Sequence, residues 1–446
     1  MTSSKFIKLL AMLLTLCVVF SVTACTSSAP SPSSEGSEAS TSKAPVNPNE
    51  SETTDVEPFR VAVFIALSGA NTSSAVFQIQ ALDLVVEQVN ARGGIEGLGG
   101  APIELVYFDN MSDANAMKTV VESAFEDETI SFGLFPLAST YTAPAIATIA
   151  KAQVPCLTTS QADSLFEQGC DYIYGIATPS SVAAPLMRDF LKYLRDTYNV
   201  DTSKIGMVAI DSEFGISMTE NYKRLFAEEE GFEVIYDTLY PMDIADMSSI
   251  VTALKQKGVK ILHYTGLDQD AKLFFNAIKG MDYHPLVLCS GSGVMYPTFQ
   301  EAMGDDLENV ISATHSNVTA STVQGDAEFA ELMETCYNRY GHYGGEFLVS
   351  YDSQIDIIVQ LVNATKSRDR EVNNKAMKEM KFETLFQKID ENGEMTKIQY
   401  FNEKGISPYS VSLITQFQYD AKGDLFPQVI YPPQLATAEL IWEEDK

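Results

Sequence analysis

Residues 59–110 open with FRVAVFIALSG (59–69), run on through a helix-like segment to GGIEGLGG (93–100), and close with APIELVYFDN (101–110). Arg60 to Leu67 is a nearly unbroken apolar run that stops at Ser68-Gly69. A short run rich in Val, Ile and Phe suits a strand buried on both faces. From Val76 to Val89 the apolar residues Val76, Phe77, Ile79, Leu82, Val85, Val86 and Val89 fall on one stripe at helical spacing, with Gln78, Gln80, Asp83, Glu87 and Gln88 between them. Gly93-Gly94 closes that helix, as glycine past a C-terminus commonly does. Ile103 to Phe108 is a second apolar strand. Strand, helix, strand implies a parallel pair joined by a right-handed crossover. Ligands of such open sheets sit outside the carboxyl ends of the strands, here Ser68-Gly69 and Asp109-Asn110, so Ser68 is a candidate ligand contact.

The alternation continues outward from this unit. Ala114 to Phe125 reads as a helix, Ile130 to Leu137 as a strand, Ala143 to Lys151 as a helix, Val154 to Leu157 and Tyr172 to Ala177 as strands. The pattern then restarts. Helices are expected at Val182 to Tyr198, Ser217 to Glu230, Ser248 to Lys257 and Asp270 to Lys279, with strands at Lys204 to Ile210, Glu233 to Leu239, Ile261 to Tyr264 and Leu286 to Cys289. These are two successive α/β halves. A short strand at Val310 to Ala313 and helices at Ala327 to Tyr340, Ser350 to Lys366 and Asn373 to Lys381 follow. The tail is β-like at Ile398 to Phe401, Val411 to Tyr419 and Gln428 to Tyr431.

The 446 residues allow two domains of ordinary size, and the formal charge of −30 argues against a nucleic-acid partner, which needs a basic surface. Lys5 and Lys8 precede an apolar core from Leu9 to Val22 that is too short for a comfortable membrane span. The core ends in Val22-Thr23-Ala24-Cys25, which resembles the lipobox of bacterial lipoproteins. That resemblance implies cleavage after Ala24 and lipidation of Cys25, so that 1–24 is a signal peptide and the protein is anchored outside the cytoplasm to the cell membrane. An ordinary secretory signal is the plainer reading. Residues 25–57 are the Cys and a polar, Ser- and Pro-rich tether that cannot bury enough apolar surface to order itself. No later apolar run approaches membrane-spanning length. Cys156, Cys170, Cys289 and Cys336 form no CxxC pair, so neither a zinc site nor any other metal centre is expected. Cys156 and Cys170 either bridge a short loop or stand as free buried thiols, the second reading being favoured because Cys156 lies in an apolar strand.

By this point several segments together resemble the type I periplasmic binding proteins, in the branched-chain amino acid (leucine/isoleucine/valine) branch of ABC importers. They are Leu67-Ser68-Gly69, the helix ending VNARGGIEG, IELVYFDNMSDANAM, FPLAST, VPCLTTS, IDSEFG before a helix, SYDSQIDIIVQL and the β-rich tail, covering Phe59 to Tyr431. No single motif decides the matter; their order and spacing do. The resemblance implies an α/β fold of two doubly wound parallel-sheet lobes joined by three crossover strands. Lobe 1 would be 59–178 plus 315–387 and lobe 2 179–314 plus 388–446, with crossings near Thr178-Pro179, Ser312 to Asn317 and Gln387 to Gly393.

On that pattern Ser139 and Thr140, in the turn after the third strand, hold a ligand carboxylate through hydroxyls and free N–H groups; helix capping is the plainer role for them. Ser160 and Ala162, in Thr159-Ser160-Gln161-Ala162, face the same cleft, against the alternative of a polar loop. Phe214, before Gly215, would wall the cleft where the family often has an aromatic, against simple core packing. Ser292 stands where amino-acid binders of the family often place an acid for the ligand ammonium. Asp268, in the loop Tyr264-Thr265-Gly266-Leu267-Asp268 that also offers Gly266, would substitute unless it merely starts a helix.

Enzyme signatures are poor. Gly291-Ser292-Gly293 lacks nucleophile-elbow spacing, the four histidines are scattered, and GGIEGLGG follows a helix rather than a strand. No catalytic residue and no cofactor is expected. The leading reading is a monomeric, lipid-anchored solute-binding protein that delivers a small polar or amino acid-like ligand to an ABC permease. A sensory binding protein without transport and a surface α/β hydrolase are the alternatives.

Overall fold

In the computed structural model, residues 56–442 are described, apart from 137, 291, 315, 317–325, 390–393, 409–411, 421–422 and 424. The signal-peptide and Cys25 expectations lie outside the described residues, as does most of the tether.

β1 (Phe59–Ile65) runs parallel to β2 (Ile103–Asp109), with Phe59 opposite Ile103 and Ile65 opposite Asp109, and the helix between them is α1 (Thr72–Ala91). Alternation along β1 divides its side chains between two layers. Val61, Val63 and Ile65 pack with Leu82, Val85 and Val89 of α1, whereas Ala62 and Phe64 pack with Val121 and Phe125 of α2 (Ala114–Phe125). Helices on both faces explain why the strand is apolar without interruption. β3 (Ile130–Phe135), α3 (Ser139–Thr142), α4 (Ile146–Ala152), β4 (Cys156–Thr158) and β5 (Ile173–Gly175) complete a parallel sheet of order β2-β1-β3-β4-β5.

The second half repeats the scheme. α5 (Ser180–Tyr198), β6 (Lys204–Ile210), α6 (Glu213–Glu228), β7 (Glu233–Tyr240), α7 (Ser248–Lys257), β8 (Ile261–Thr265), α8 (Asp268–Gly280), β9 (Leu286–Ser290), α9 (Pro297–Met303) and β10 (Ile311–Thr314) follow in order. The chain then returns to the first sheet's helices through α10 (Ala327–Tyr340), α11 (Gly345–Thr365) and α12 (Arg370–Glu379). β11 (Phe382–Ile389) and β12 (Met395–Gln399) form an antiparallel hairpin against α11, where Gln360 Nε2 donates to Glu383 O at 2.7 Å. β13 (Leu413–Tyr419) and β14 (Leu425–Tyr431) finally join the second sheet, whose order is β14-β13-β10-β9-β8-β6-β7. That sheet is parallel from β7 to β10 and antiparallel from β10 through β13 to β14, of which only β13 and β14 are close neighbours in the chain.

The third passage between the sheets is later in the chain than Gln387 to Gly393. Lys388 pairs with Thr396 and Phe382 with Gln399, Phe401 packs on Tyr174 at 5.0 Å, and Ile406 bridges to Gly175. All of that lies on the first sheet's side, and the chain is next paired with the second sheet at Leu413, on β13. Of the expected crossing at Gln387 to Gly393, residues 390–393 lie outside the described residues. Cys156, Cys170, Cys289 and Cys336 are free thiols. No helix among the described residues is long and apolar enough to cross a membrane.

Candidate functional site

The first sheet presents two neighbouring loops at its carboxyl edge, after β3 and after β4. α3 begins at Ser139 with Ala138 as its N-cap, and among the described residues no side-chain cap is made there. Alanine has no acceptor for the first N–H groups, so the start of this helical run keeps its donors for something else. Ser139 is only 2% exposed, and its Oγ accepts the N–H groups of Gln161 and Ala162, each at 3.2 Å. The hydroxyl therefore braces one loop against the other and does not cap its own helix. A hydroxyl that accepts twice still has its proton to donate. Beneath it, Thr142 Oγ1 lies 2.9 Å from Ser160 Oγ, and Thr158 Oγ1 donates to Phe135 O at 2.9 Å while accepting from Ser160 N at 3.0 Å. Thr159 Oγ1 is buried with no partner among the described residues. Ser139, Thr140, Ser160 and Ala162 are thus brought together, Ala162 fully buried and Thr140 half-buried at the helix start.

Ser68 is used differently. Its hydroxyl donates to Asp109 Oδ2 at 2.6 Å, and Asp109 Oδ1 accepts the N–H groups of Leu67, Ser68 and Met111 at 2.8–3.1 Å. Burial pushes the Asp109 carboxyl up, but the Ser68 hydroxyl and the three N–H donors outweigh it and hold the group below its ordinary value. Ser68 locks the β1 and β2 loops together.

On the second sheet, Phe214 packs with Ala183, Met187 and Met218 in that lobe's own core. The plainer reading fits its surroundings. The neighbouring glycine has the sharper requirement, since a Cβ on Gly215 would lie 1.9 Å from Ile210 O, and only glycine lets α6 start so close to the end of β6. Gly266 follows β8 and rests on a buried polar group. A Cβ there would meet Tyr264 Oη at 2.3 Å and Asp270 Oδ2 and Tyr240 Oη at 2.5 Å. Tyr264 Oη donates to Asp270 Oδ2 at 3.0 Å, Tyr240 Oη donates to the same oxygen, and Leu267 N–H reaches both Asp270 oxygens at 3.0 and 3.1 Å. Burial raises the Asp270 carboxyl above its ordinary value despite these donors.

Asp268 is 1% exposed, and its Oδ1 has no hydrogen-bond partner among the described residues. Lys272 Nζ lies 3.0 Å from Oδ1 and donates to Oδ2 at 3.1 Å, and Thr298 Oγ1 donates to Oδ2 at 3.0 Å. It starts α8, as the plainer reading has it, but from a buried position. Ser292 opens the one-turn 3-10 helix Ser292–Met295 after β9; its side chain is not among those described. That loop lies on the loop after β8, because a Cβ on Gly293 would be 2.7 Å from Leu267 O.

Sequence reasoning missed Thr142, Asp163, Ser217, Asn221 and the pairing of Tyr240 and Tyr264 with Asp270. A hydroxyl or carboxylate just past a strand end was the available signal, and it is too common to single these out. His263 turns out to be a core residue. It lies 4.0 Å from the Tyr222 ring and 2.9 Å from Ser290 Oγ, and burial alone pushes its imidazole down to about 3. Among the described residues no group of three or more His, Cys, Asp and Glu side chains is placed to hold a metal ion.

Residues 58–401 match the family described as periplasmic binding protein. Leu/Ile/Val-binding protein homolog 8 of Brucella abortus (strain 2308) is 27% identical over 273 residues, which is 58% of this chain and 66% of that protein. The chain therefore spans slightly less than two thirds of that relative's length. Leu/Ile/Val-binding protein homolog 7 of Brucella suis biovar 1 (strain 1330) is 24% identical over 303 residues, 65% of this chain and 72% of that protein. Among solved structures, a leucine binding protein from Thermotoga maritima superposes with a TM-score of 0.68 at 14% identity, covering 84% of this chain and 99% of that one. A solute binding protein of an ABC transporter from Rhodopseudomonas palustris BisB5, in complex with 3,4-dihydroxy benzoic acid, gives 0.70 at 15% identity over 87% of this chain and 99% of that one. A branched-chain amino acid transporter substrate binding protein from Streptococcus pneumoniae, in complex with isoleucine, gives 0.68 at 18% identity, covering 84% of this chain and all of that one. At these identities the structures establish a shared fold.

Proposed function

Since this chain belongs to the periplasmic binding protein family, we propose that it is the substrate-binding component of an ABC importer and takes a small carboxylate-bearing molecule between its two lobes. The observation that carries the ligand chemistry is the start of α3. An uncapped helix N-terminus with a buried serine hydroxyl beside it is a favourable place for a carboxylate. The ligands named for the Streptococcus and Rhodopseudomonas proteins, isoleucine and 3,4-dihydroxy benzoic acid, share that group and little else. At the opposite end Asp268 pairs with Lys272 and its Oδ2 also accepts from Thr298, while its Oδ1 has no hydrogen-bond partner among the described residues, and residue 292 is a serine. With a serine at 292, aromatic or aliphatic carboxylates stand beside amino acids as ligands.

Native mass spectrometry of the protein as purified, followed by a thermal-shift panel of branched-chain amino acids, their amides, hydroxybenzoates and small aliphatic carboxylates, tests this. A carboxylate should raise the melting temperature where its amide does not, because binding to the folded state alone stabilises by mass action. Equal shifts with acid and amide would remove the carboxylate reading.

The lobes would close on the ligand by turning about three crossings, near Ile176 to Pro179, after Thr314 and between Ser407 and Leu413. Solution scattering should then show contraction on adding the ligand so identified, and an unchanged radius of gyration at saturation would argue for a rigid body. The Val22-Thr23-Ala24-Cys25 sequence supports attachment outside the cytoplasm through a lipid on Cys25. Cys25→Ala in the bacterial host should leave the full precursor unprocessed and unlipidated. Normal processing of that variant would show that the signal is not a lipoprotein signal.

A further inference from the structure

The loop after β4 does more than approach the ligand turn. Gln161 and Ala162 give their N–H groups to Ser139 Oγ. On its other side, Gln161 O accepts both the N–H of Ser180 at 2.8 Å and its Oγ at 3.0 Å, at the start of α5, the first helix of the second lobe. Two residues further, the Asp163 carboxylate accepts Ser181 N–H at 3.0 Å and the Ser181 hydroxyl. Pro179, the N-cap of α5, offers that helix no side-chain acceptor, so its capping is supplied from the first lobe. The same carboxylate also accepts from α6, with Asn221 Nδ2 at 2.8 Å and Ser217 Oγ at 3.1 Å on Oδ2. Beside it, Ser164 Oγ donates to Glu213 Oε2 at 2.9 Å at the first turn of α6.

We propose that Asp163 is an interlobe clasp, a positioning residue that ties the Ser139 turn, the first crossing and helix α6 together and so holds the two lobes in the arrangement seen here. Its four donors come from two elements of the second lobe, and its own loop is fixed to Ser139 in the first. Charge-assisted hydrogen bonds are about twice as strong as neutral ones, which makes a single carboxylate an effective junction. A disturbance at Ser139 reaches α6 through two residues of backbone. The proposal presumes that the lobes move, as the binding-protein reading has it, but the measurement needs no ligand, so its outcome is separate from the ligand's identity.

The test compares wild type, Asp163→Ala and the double variant Ser217→Ala/Asn221→Ala, all without added ligand, by small-angle scattering and amide hydrogen exchange. Asp163→Ala should raise the radius of gyration and speed exchange of the Ser181 amide by roughly tenfold or more, the equivalent of one lost bond to a charged group. The double variant changes only part-buried side chains of α6. It should expand similarly while Ser181 keeps its protection, since the cap remains. Expansion of Asp163→Ala alone would make the residue a helix cap and overturn the clasp. So would wild-type scattering in both variants. If Asp163→Ala fails to fold, the double variant decides by itself.

Discussion

Between pH 7 and pH 4.5 this protein is expected to lose about 3 kcal/mol of stability through one side chain, His263. The imidazole sits in the middle of β8, buried between Tyr222 and Ser290, and burial pushes it from its ordinary value of 6.5 down to about 3. In the unfolded chain it titrates near the ordinary value. Between those two values the unfolded state takes up a proton that the folded state refuses, so acid favours unfolding. The full contribution is present above about pH 6.5 and drains away as the pH falls towards about 3. By pH 4.5 roughly two units of the gap have been crossed, at about 1.4 kcal/mol each. Urea unfolding of wild type and His263→Gln at both pH values measures it. Glutamine can still reach Ser290 Oγ and cannot charge. The variant should start less stable, through lost contact with Tyr222, but lose about 3 kcal/mol less on acidification. Carboxylate titration is common to both proteins and cancels in the difference. Equal losses in the two would mean that the imidazole finds a proton acceptor or water when it charges.

The parts of this molecule that were legible in its sequence are those fixed by periodicity. β1 is uninterruptedly apolar because both its faces are covered, and α1 shows a stripe because one of its faces is not. Those two patterns, repeated, are enough to give two α/β halves. The β11-β12 hairpin was not legible. Phe382-Glu383-Thr384-Leu385-Phe386 has no long apolar run, so nothing in it marks the strand that pairs with Met395–Gln399. The start of α11 was placed late for a related reason. Gly344-Gly345 reads as a breaker, yet it is where the helix begins, Gly344 supplying a left-handed N-cap at φ 74°.

At the site, strand ends gave the positions of Ser139, Ser160 and Gly266, because a parallel sheet puts its loops there whatever their chemistry. What each side chain does there was set by partners far along the chain. Ser139 meets the amides of residues 161 and 162, and Ser68 meets Asp109. Asp268 illustrates the limit of local reading. Lys272, one helical turn on, was in plain view as an i,i+4 partner, but Thr298, which donates to its Oδ2, is thirty residues away. Phe214 was equally suited to a cleft wall or a core, and only the packing of α5 against α6 puts it with Met187 and Met218.

Ser139→Ala is expected to lower both stability and affinity, and the two losses have different origins. Removing Oγ leaves the N–H groups of Gln161 and Ala162 without their acceptor at a position that is 2% exposed. An orphaned buried donor costs about 1–3 kcal/mol, so a fall of about 2 kcal/mol or more is expected in urea unfolding. The hydroxyl proton is lost to the ligand as well, and a hydrogen bond to a carboxylate is worth about 1.5–3 kcal/mol, which weakens binding roughly tenfold or more. A loosened loop would by itself weaken binding, so the hydroxyl's direct part has to be separated from its bracing part. Thr142→Val does this. It breaks the 2.9 Å contact with Ser160 Oγ in the same pair of loops and the 3.4 Å bond to Ala138 O, at a residue 1% exposed, while leaving the Ser139 hydroxyl and the backbone N–H groups at the start of α3 in place. Calorimetry with the carboxylate found in the ligand screen should show Thr142→Val losing stability but keeping affinity within about threefold, with Ser139→Ala losing both. Similar affinities for the two variants would place Ser139 among the braces of the loop, and the carboxylate would then have to be held by the N–H groups of α3 alone.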